Sequence, residues 1–353
     1  MFLFKKKPKS FLGIDVGASA IKLVELSEDN ERRKLTNYAI VPLAKYLERT
    51  DNRSSLEFPK ADNKEIAEAI QRAVSEAKII SRDTFFSIPV YSSFSTLIDF
   101  PNMPEKEIIA AIPFEAKKYI PAPISEVVLD WSIIDSSGKR PARQVLLIAV
   151  PKKVINNYKE ISELAGLTFR GVEEETFSLS RALIGNDNGV IILVDVGARS
   201  ISTSIIDGGY VRIIHNLEMG GARMTEVIAR QMNLSLTHAE ALKKNMPVNQ
   251  VAEGQESRLR GIGYSTLGAI ITEVRKIIDS YQNKYGRKVE KCILAGDGIR
   301  LAGFADYLTS KLALDVSLGN PFARIVCPPQ IKPILKEIGP SLAVATGLAM
   351  RGK

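Results

Sequence analysis

The sequence is nearly devoid of cysteine and histidine. Two cysteines in 353 residues, Cys292 and Cys327, cannot build a disulfide scaffold. With no export signal, both are expected to be reduced in the cytoplasm. Two histidines, His215 and His238, leave too few ligands for a His-rich zinc site. Long hydrophobic runs are missing too. Stretches such as Val190–Val194 meet a charge after a few residues, whereas a spanning helix needs ~20 apolar residues. The N-terminus, MFLFKKKPK, places its apolar residues before its basic ones, the wrong order for a signal peptide. No aromatic-interleaved basic motif of the RNA-reading kind occurs, so nucleic acid is not an expected partner.

What is present is an ordinary globular composition, 45% hydrophobic and 25% charged, which excludes wholesale disorder. The length suits two or three domains, or one large two-lobed one. The net charge is +8. Lys5, Lys6, Lys7 and Lys9 lie beside Phe2, Leu3 and Phe4. They read either as a solvated tail or as weak docking on an anionic leaflet, with basic residues worth ~1 kcal/mol each.

Apolar periodicity predicts the elements. Phe11–Leu26 reads as strand, tight turn, strand, and Lys34–Val41 as a third strand. Asp51–Asn63 reads as a loop, Lys64–Ala77 as an amphipathic helix and Phe85–Val90 as a strand. A segment of different character follows, from Tyr91 to about Lys152. It has a strand at Phe94–Phe100, a helix at Pro104–Tyr119 that Pro113 should bend, the stiff Ile120–Ile124 stretch, and strands at Val127–Ile134 and Gln144–Val150. The later chain gives helices at Lys153–Ala165, Thr176–Leu183, Met224–Met232, Leu236–Asn245 and Ser265–Tyr285. Strands are expected at Leu167–Val172 and near Cys292. A small-residue helix over Ser341–Arg351 is closely packed through Ala343, Ala345, Gly347 and Ala349.

Two segments repeat. DVGASAIKLVEL begins at Asp15 and DVGARSISTSII at Asp195, 180 residues apart. A shared Asp-Val-Gly-Ala tip followed by the same alternation argues for internal duplication. Tips of Gly and small residues let backbone N–H groups approach an anion closely. Two of them can clamp one polyphosphate, with Asp15 and Asp195 holding Mg²⁺ through its water shell and Lys22 reaching a phosphate as a point charge. The alternative is that both are ordinary turns, with Asp chosen for turn chemistry.

These segments resemble the two phosphate loops of the actin, Hsp70 and sugar-kinase ATPase superfamily. CILAGDGIRLAGFADYL resembles its adenosine loop. ELAGLTFRGVEEETFSLSRAL and IGPSLAVATGLAMR resemble its two connecting segments. Within the superfamily, FPNMPEKEIIAAIPFEAKKYIPAPISEVVLDW and LEMGGARMTEVIARQMNLSLTHAEALK are most like the PilM family of type IV pilus assembly, and next like the FtsA family of cell division. The resemblance implies an α/β, actin-like (ribonuclease H-like) two-lobed ATPase fold with a small α+β insert subdomain. The first-lobe core would take 1–90, 153–189 and 335–353, and the insert 91–152. The second-lobe core would take 190–215 and 290–334, and a helical nucleotide-side subdomain 216–289.

The resemblance further implies ATP and Mg²⁺ as cofactors. It puts Gly17, Ala18, Ser19, Ala20 and Lys22 on the phosphates, with Gly197, Ala198, Arg199 and Ser200 on the second phosphate side. Asp15 and Asp195 come near the metal. Gly296 and Gly298 fall in the adenosine loop, and Glu240 with Lys243 at the family's Glu-x-x-Lys. Arg199 departs from the usual small residue, and either pairs with phosphate or blocks close approach. Aligned with Hsp70, Glu175 falls at the catalytic-acid position; Glu173–Glu175 reads equally as a solvated acidic run. Cys292 is expected in the core, and Trp131 is expected to serve packing. Met219-Gly-Gly reads as a nucleotide-side turn or only a tight one.

The implied function is a cytoplasmic ATP-binding scaffold, at most a slow ATPase, recruited to the inner membrane. Its implied partner is the N-terminal cytoplasmic segment of PilN, with PilO, PilP and PilQ reached indirectly and self-association left open. The insert, with Ile108, Ile109 and Ile112, is the expected docking site. The alternatives are an FtsA-like polymerising ATPase and a small-molecule kinase. The first is disfavoured because the chain stops at Lys353 without a linker and amphipathic helix, the second because no carbohydrate motif stands out.

Overall fold

The computed structural model describes residues 9–29, 32–43, 62–134, 142–245, 255–299 and 303–352. Lys5, Lys6 and Lys7 and most of the expected 51–63 loop lie outside these residues.

The first sheet is built on β1 (Ser10–Val16). β1 turns back into β2 (Ala20–Asp29), which pairs with β3 (Arg32–Pro42). On its other side β1 runs parallel to β4 (Asp83–Ile88), and β4 to β8 (Thr168–Glu174). The second sheet repeats the plan with β9 (Val190–Val196), β10 (Ile201–Asp207), β11 (Tyr210–Leu217), β12 (Lys291–Ala295) and β13 (Asp315–Leu318). The orders are β3-β2-β1-β4-β8 and β11-β10-β9-β12-β13, with the same parallel and antiparallel neighbours. The repeat in sequence is therefore a repeat of architecture: β1 and β9 are equivalent central strands, each ending in its Asp-Val-Gly tip.

Helices cover these sheets. α1 (Asn63–Glu76) starts at a capping box in which the Glu65 N–H donates to Asp62 at 2.7 Å and the Asp62 N–H to Glu65 at 3.2 Å. Its Ile70 and Val74 join the core formed by Leu12, Ile14, Leu23 and Phe86. In the second lobe the apolar face of a long helix, Gln255–Tyr285, packs on Ile192, Val194 and Leu294. Two connecting helices, Glu175–Leu183 and Ala343–Ala349, lie against each other beneath the cleft. Their contact depends on missing side chains. A Cβ on Gly347 would lie 2.0 Å from the Ser178 carbonyl oxygen, and one on Gly13 2.0 Å from that of Ala345. This close contact carries Glu175, the first residue of its helix, to the cleft floor.

The insert is a three-stranded sheet, order β5-β7-β6, of β5 (Phe94–Pro101), β6 (Val127–Ile134) and β7 (Ala142–Pro151). Its central strand β7 is buried on both faces. Val145, Leu147 and Ala149 meet the helix Glu105–Ala116 through Ile108 and Ile112. Leu146 and Ile148, on the opposite face by strand alternation, meet Ile206, Val211 and Ile214 of the second lobe. Arg212 donates to Gln144 at 3.0 Å, and Gln144 to Asp99 at 2.8 Å, along the same seam.

Several expectations need correction. Ile108 and Ile112 are fully buried and hold the insert helix to its own sheet, so they offer nothing to a partner. Ile109 (39% exposed), Phe114 (69%) and Tyr119 (43%) face outward instead. Trp131, expected to serve packing, lies on the edge strand β6 with 36% of its surface exposed. Cys292 is buried, as expected. The strands β11 and β13 and the helix Lys332–Ile338 were not anticipated. The long helix begins ten residues before Ser265. The C-terminal small-residue segment is a 3-10 turn, Gly339–Leu342, followed by the shorter helix.

Because Gly347 has no room for a methyl group, Gly347→Ala is expected to destabilise the fold by roughly 2–3 kcal/mol or more, as overpacking does. Denaturant melts of the two proteins check this. An unchanged midpoint would mean that the two connecting helices can separate freely.

Candidate functional site

The two tips close in the same way. Gly17 N–H donates to the Ala20 carbonyl at 3.1 Å, and Gly197 N–H to that of Ser200 at 2.9 Å. Strand register puts Lys22 opposite Asp15, and Ser202 opposite Asp195. The second tip has an extra brace. Gly221 and Ala222, opening the helix Gly221–Met232, donate to the Gly197 and Ala198 carbonyls, each at 2.9 Å. A Cβ on Gly220 would lie 2.4 Å from the Ala198 oxygen, so Met219-Gly-Gly is the seat of the second phosphate-type tip. Gly296 has φ +90°, and a Cβ there would lie 2.4 Å from Asp195 Oδ1. Only glycine lets the β12 turn pass so close to that carboxylate.

Both tips open onto one solvent-open cleft. Of the expected site residues, Asp15, Gly17, Ala18, Ser19, Lys22, Glu175, Asp195, Gly197, Ala198, Arg199, Ser200 and Gly296 line it. Ala20, Gly298, Glu240 and Lys243 do not. Ala20 is buried where β2 begins, and Gly298 packs against Val196. Glu240 and Lys243 form a compact cluster beside the second tip. Lys243 Nζ donates to Glu240 at 2.6 Å, to Thr225 Oγ1 at 2.9 Å and to the Gly221 carbonyl at 3.0 Å. Lys243 is buried, not a solvated member of an ion pair, and burial lowers its pKa.

Sequence reasoning missed Tyr91, Asp297, Ser202 and Ser341 on the cleft wall, and Ser87 behind it. Ser87 donates to Asp15 at 2.7 Å, orienting that carboxylate. Asp297 pairs with Lys22 at 2.9 Å, and Asp15 with Lys22 at 3.6 Å. An Asp between two adenosine-loop glycines was the available signal for Asp297; nothing in the sequence marks Ser87 or Tyr91.

The electrostatics are dominated by surplus negative charge. Burial penalises the Lys22 ammonium, but Asp15, Asp297 and Asp195 outweigh it and push its pKa up. Asp195 is pushed up to about 7, by burial first and then, against Lys22, by Asp15 and Asp297. Glu175 is raised well above the carboxylate range by burial, Asp195, Asp15 and Glu174; the Val90 N–H opposes this from 3.4 Å. Thus Glu173–Glu175 is not a solvated run. Glu173 pairs with Arg181 at 2.6 Å, Glu174 caps the helix through the Thr176 N–H at 3.1 Å, and Glu175 enters the cleft. Four carboxylates share one ammonium, an arrangement that fits a divalent cation. Among the described residues, no three acidic, His or Cys groups are grouped to hold a metal by themselves. Such an ion would keep waters and take further ligands from phosphate, as Mg²⁺ does.

The family model for the type IV pilus assembly protein PilM matches residues 13–353, and the chain belongs to this family. The solved PilM-PilN type IV pilus biogenesis complex is similar with a TM-score of 0.80 and 28% identity, over 96% of this chain and 97% of that one. The fold is also that of the ethanolamine utilization protein EutJ from Carboxydothermus hydrogenoformans, with a TM-score of 0.54 and 16% identity over 98% and 91% of the two chains. MreB5 of Spiroplasma citri bound to ADP gives a TM-score of 0.54 and 12% identity over 96% and 94%. The actin-like two-lobed fold is thus established. The cell division protein FtsA of Enterococcus faecalis (strain ATCC 700802 / V583) is 27% identical over 149 residues, 40% of this chain; the chain spans about a third, 31%, of that curated relative.

A carboxylate whose folded pKa exceeds its unfolded value contributes stability that is full below the unfolded pKa. That contribution is lost as pH rises through the folded pKa. For Asp195 the window runs from about 4 to about 7. Without ligand, Asp195→Asn is therefore expected to raise the melting temperature at pH 8 and leave it little changed near pH 4. Each kcal/mol regained corresponds to roughly 2–4 °C. Equal destabilisation at both pH values would contradict the charge surplus.

Proposed function

We propose that this type IV pilus assembly protein of the PilM family is a nucleotide-binding scaffold. It takes ATP with Mg²⁺ in the interlobe cleft and docks the N-terminal cytoplasmic segment of a PilN protein on or beside its insert. The observation that carries the reading is the pair of equivalent Asp-Gly tips opening on one acid-rich cleft. Gly17–Ser19 and Gly197–Ser200 would cradle the phosphates. Asp15 and Asp195 would hold the cation through water, and Lys22 would turn from its carboxylates to a phosphate. Gly296 and Gly298, with the Glu240–Lys243 cluster, would border the nucleoside. The bound cation would supply charge neutralisation for the phosphates. Asp15→Ala and Asp195→Ala are each expected to weaken Mg²⁺-dependent ATP binding by about tenfold or more in calorimetry. Wild-type affinity in both would end the two-sided clamp.

Turnover, if any, is expected to be slow. Phosphoryl transfer asks the protein for little beyond a group that orients water. Glu175 is the acid placed to do so, yet its raised pKa leaves it a poor acceptor until a cation lowers that pKa. A brisk ATPase indifferent to Glu175→Gln would remove that assignment.

Partner docking is supported by the likeness to the PilM-PilN complex and by the outward apolar residues of the insert, Ile109, Phe114 and Tyr119. A short peptide can lay apolar anchors on such a surface or pair with the edge strand β6. Among the described residues, no helix is long and apolar enough to cross a membrane. In this reading the chain is cytoplasmic and reaches the inner membrane through a tethered partner. Local concentration there strengthens even a micromolar contact. PilO, PilP and PilQ would be reached through PilN. Phe114→Glu is expected to weaken binding of a PilN cytoplasmic peptide at least tenfold while leaving ATP affinity unchanged. Undiminished peptide binding would move the docking site off this helix.

A further inference from the structure

Arg199 holds the third position of the second tip, where the first tip has Ser19. Its guanidinium lies over the ring of Tyr91, 4.9 Å from the centroid. Tyr91 is the middle residue of the 3-10 turn Val90–Ser92, by which the chain leaves β4 and enters the insert. The same turn donates through Val90 to Glu175 and touches β11 of the second lobe. One cation–π contact thus ties the second tip to the entry of the insert. A guanidinium on a ring face has no fork partner, whereas phosphate oxygens offer one with two parallel charge-assisted hydrogen bonds.

We infer that Arg199 distinguishes a nucleoside triphosphate from a diphosphate in this cleft, and that Tyr91 passes the difference to the insert. The inference rests on the nucleotide reading above. With a diphosphate, Arg199 stays on Tyr91 and the entry turn is held. A terminal phosphate draws the guanidinium off the ring and frees the turn to shift against Glu175 and β11. The insert is packed on the second lobe through Leu146, Ile148 and the Arg212–Gln144 bond, so it moves with that lobe when its entry is released. The state of the cleft then becomes the attitude of the insert. By linkage, whatever binds one attitude of the insert better must also shift triphosphate affinity.

The chain contains a single tryptophan, Trp131, on the insert's edge strand, which makes its emission a reporter for this element. The experiment titrates the full chain with Mg²⁺ and either ADP or a non-hydrolysable ATP analogue, following calorimetry and Trp131 fluorescence together. Wild type is expected to prefer the triphosphate about tenfold and to change its emission only with it. Arg199→Ala should bind both nucleotides within about twofold of each other, with no emission change. Tyr91→Leu should keep the triphosphate preference but lose the emission change, and Tyr91→Phe, which retains the ring face and loses the hydroxyl's hydrogen bond to Arg199, should keep the emission change. A tenfold preference persisting in Arg199→Ala overturns the inference, as does an emission change persisting in Tyr91→Leu. So does a wild type that binds both nucleotides alike. A wild type that binds neither nucleotide overturns the cleft reading together with the inference.

Discussion

Lys22 is an ammonium with almost no water around it, and its position is fixed by the acids it neutralises. Asp15 and Asp297 pair with it directly, and Asp195 acts on it from the other lobe. Lys22 alone cannot satisfy Asp15, Asp195, Asp297 and Glu175, so Asp195 and Glu175 are driven toward the neutral form. This shortage of positive charge organises the cleft. Its groups come from two sheets, a connecting helix and the β12 turn, and apart from the hairpin pair Asp15 and Lys22 they share no sequence neighbourhood. They cohere because each is placed by a strand end or helix start that the fold cannot move. A cation with its waters would meet acids already paid for by the folding of both lobes.

The placement is itself a matter of missing atoms. Gly13 and Gly347 let the C-terminal helix lie against β1 and the Glu175–Leu183 helix at backbone contact. Gly220 lets the second tip rest on the helix behind it, and Gly296 lets the β12 turn reach Asp195. Interiors are packed densely enough that each such approach fixes its neighbours. Glu175 and Asp195 owe their burial, and hence their raised pKa values, to these contacts.

Much of this was legible in the sequence because phosphate-type tips are local. Asp15-Val-Gly-Ala and Asp195-Val-Gly-Ala each carry strand, tip and return strand within about a dozen residues, and the strand register keeps Lys22 opposite Asp15. Elements lacking a local signal were missed. β11 contains Arg212, His215 and Asn216 and is a strand because β10 offers it a ladder, through a bulge at Ile205/Ile206. β13 is four residues on a parallel edge. The insert helix was found, but its faces were not sorted. Ile108, Ile109 and Ile112 look alike in sequence, and only the sheet beneath decides that Ile108 and Ile112 are core while Ile109 is surface. Tyr91 and Ser87 were unreadable because their partners, Arg199 and Asp15, stand 108 and 72 positions away.

The insert departs from a simple appendage in one respect that bears on mechanism. β7 is apolar on both faces, Val145, Leu147 and Ala149 toward its own helix, and Leu146 and Ile148 toward the second lobe. A subdomain carried by the first lobe alone would need only the first set. Burying the second set against Ile206, Val211 and Ile214 makes the insert a bridge between lobes, with the Arg212–Gln144–Asp99 chain as its polar seam. A change in the angle between the lobes must therefore either slide this apolar face, which dense packing resists, or carry the insert along. The entry of the insert is a single 3-10 turn, tied to the cleft by the Arg199–Tyr91 contact and the long Val90–Glu175 hydrogen bond and resting on β11 of the same second lobe, so carrying the insert along keeps the β11 contact intact. On the proposed reading, a two-lobed fold built this way would convert closure around a nucleotide into reorientation of a surface about one subdomain away. Such a device would serve the proposed scaffold, whereas a kinase's cleft would have to admit and align a second substrate.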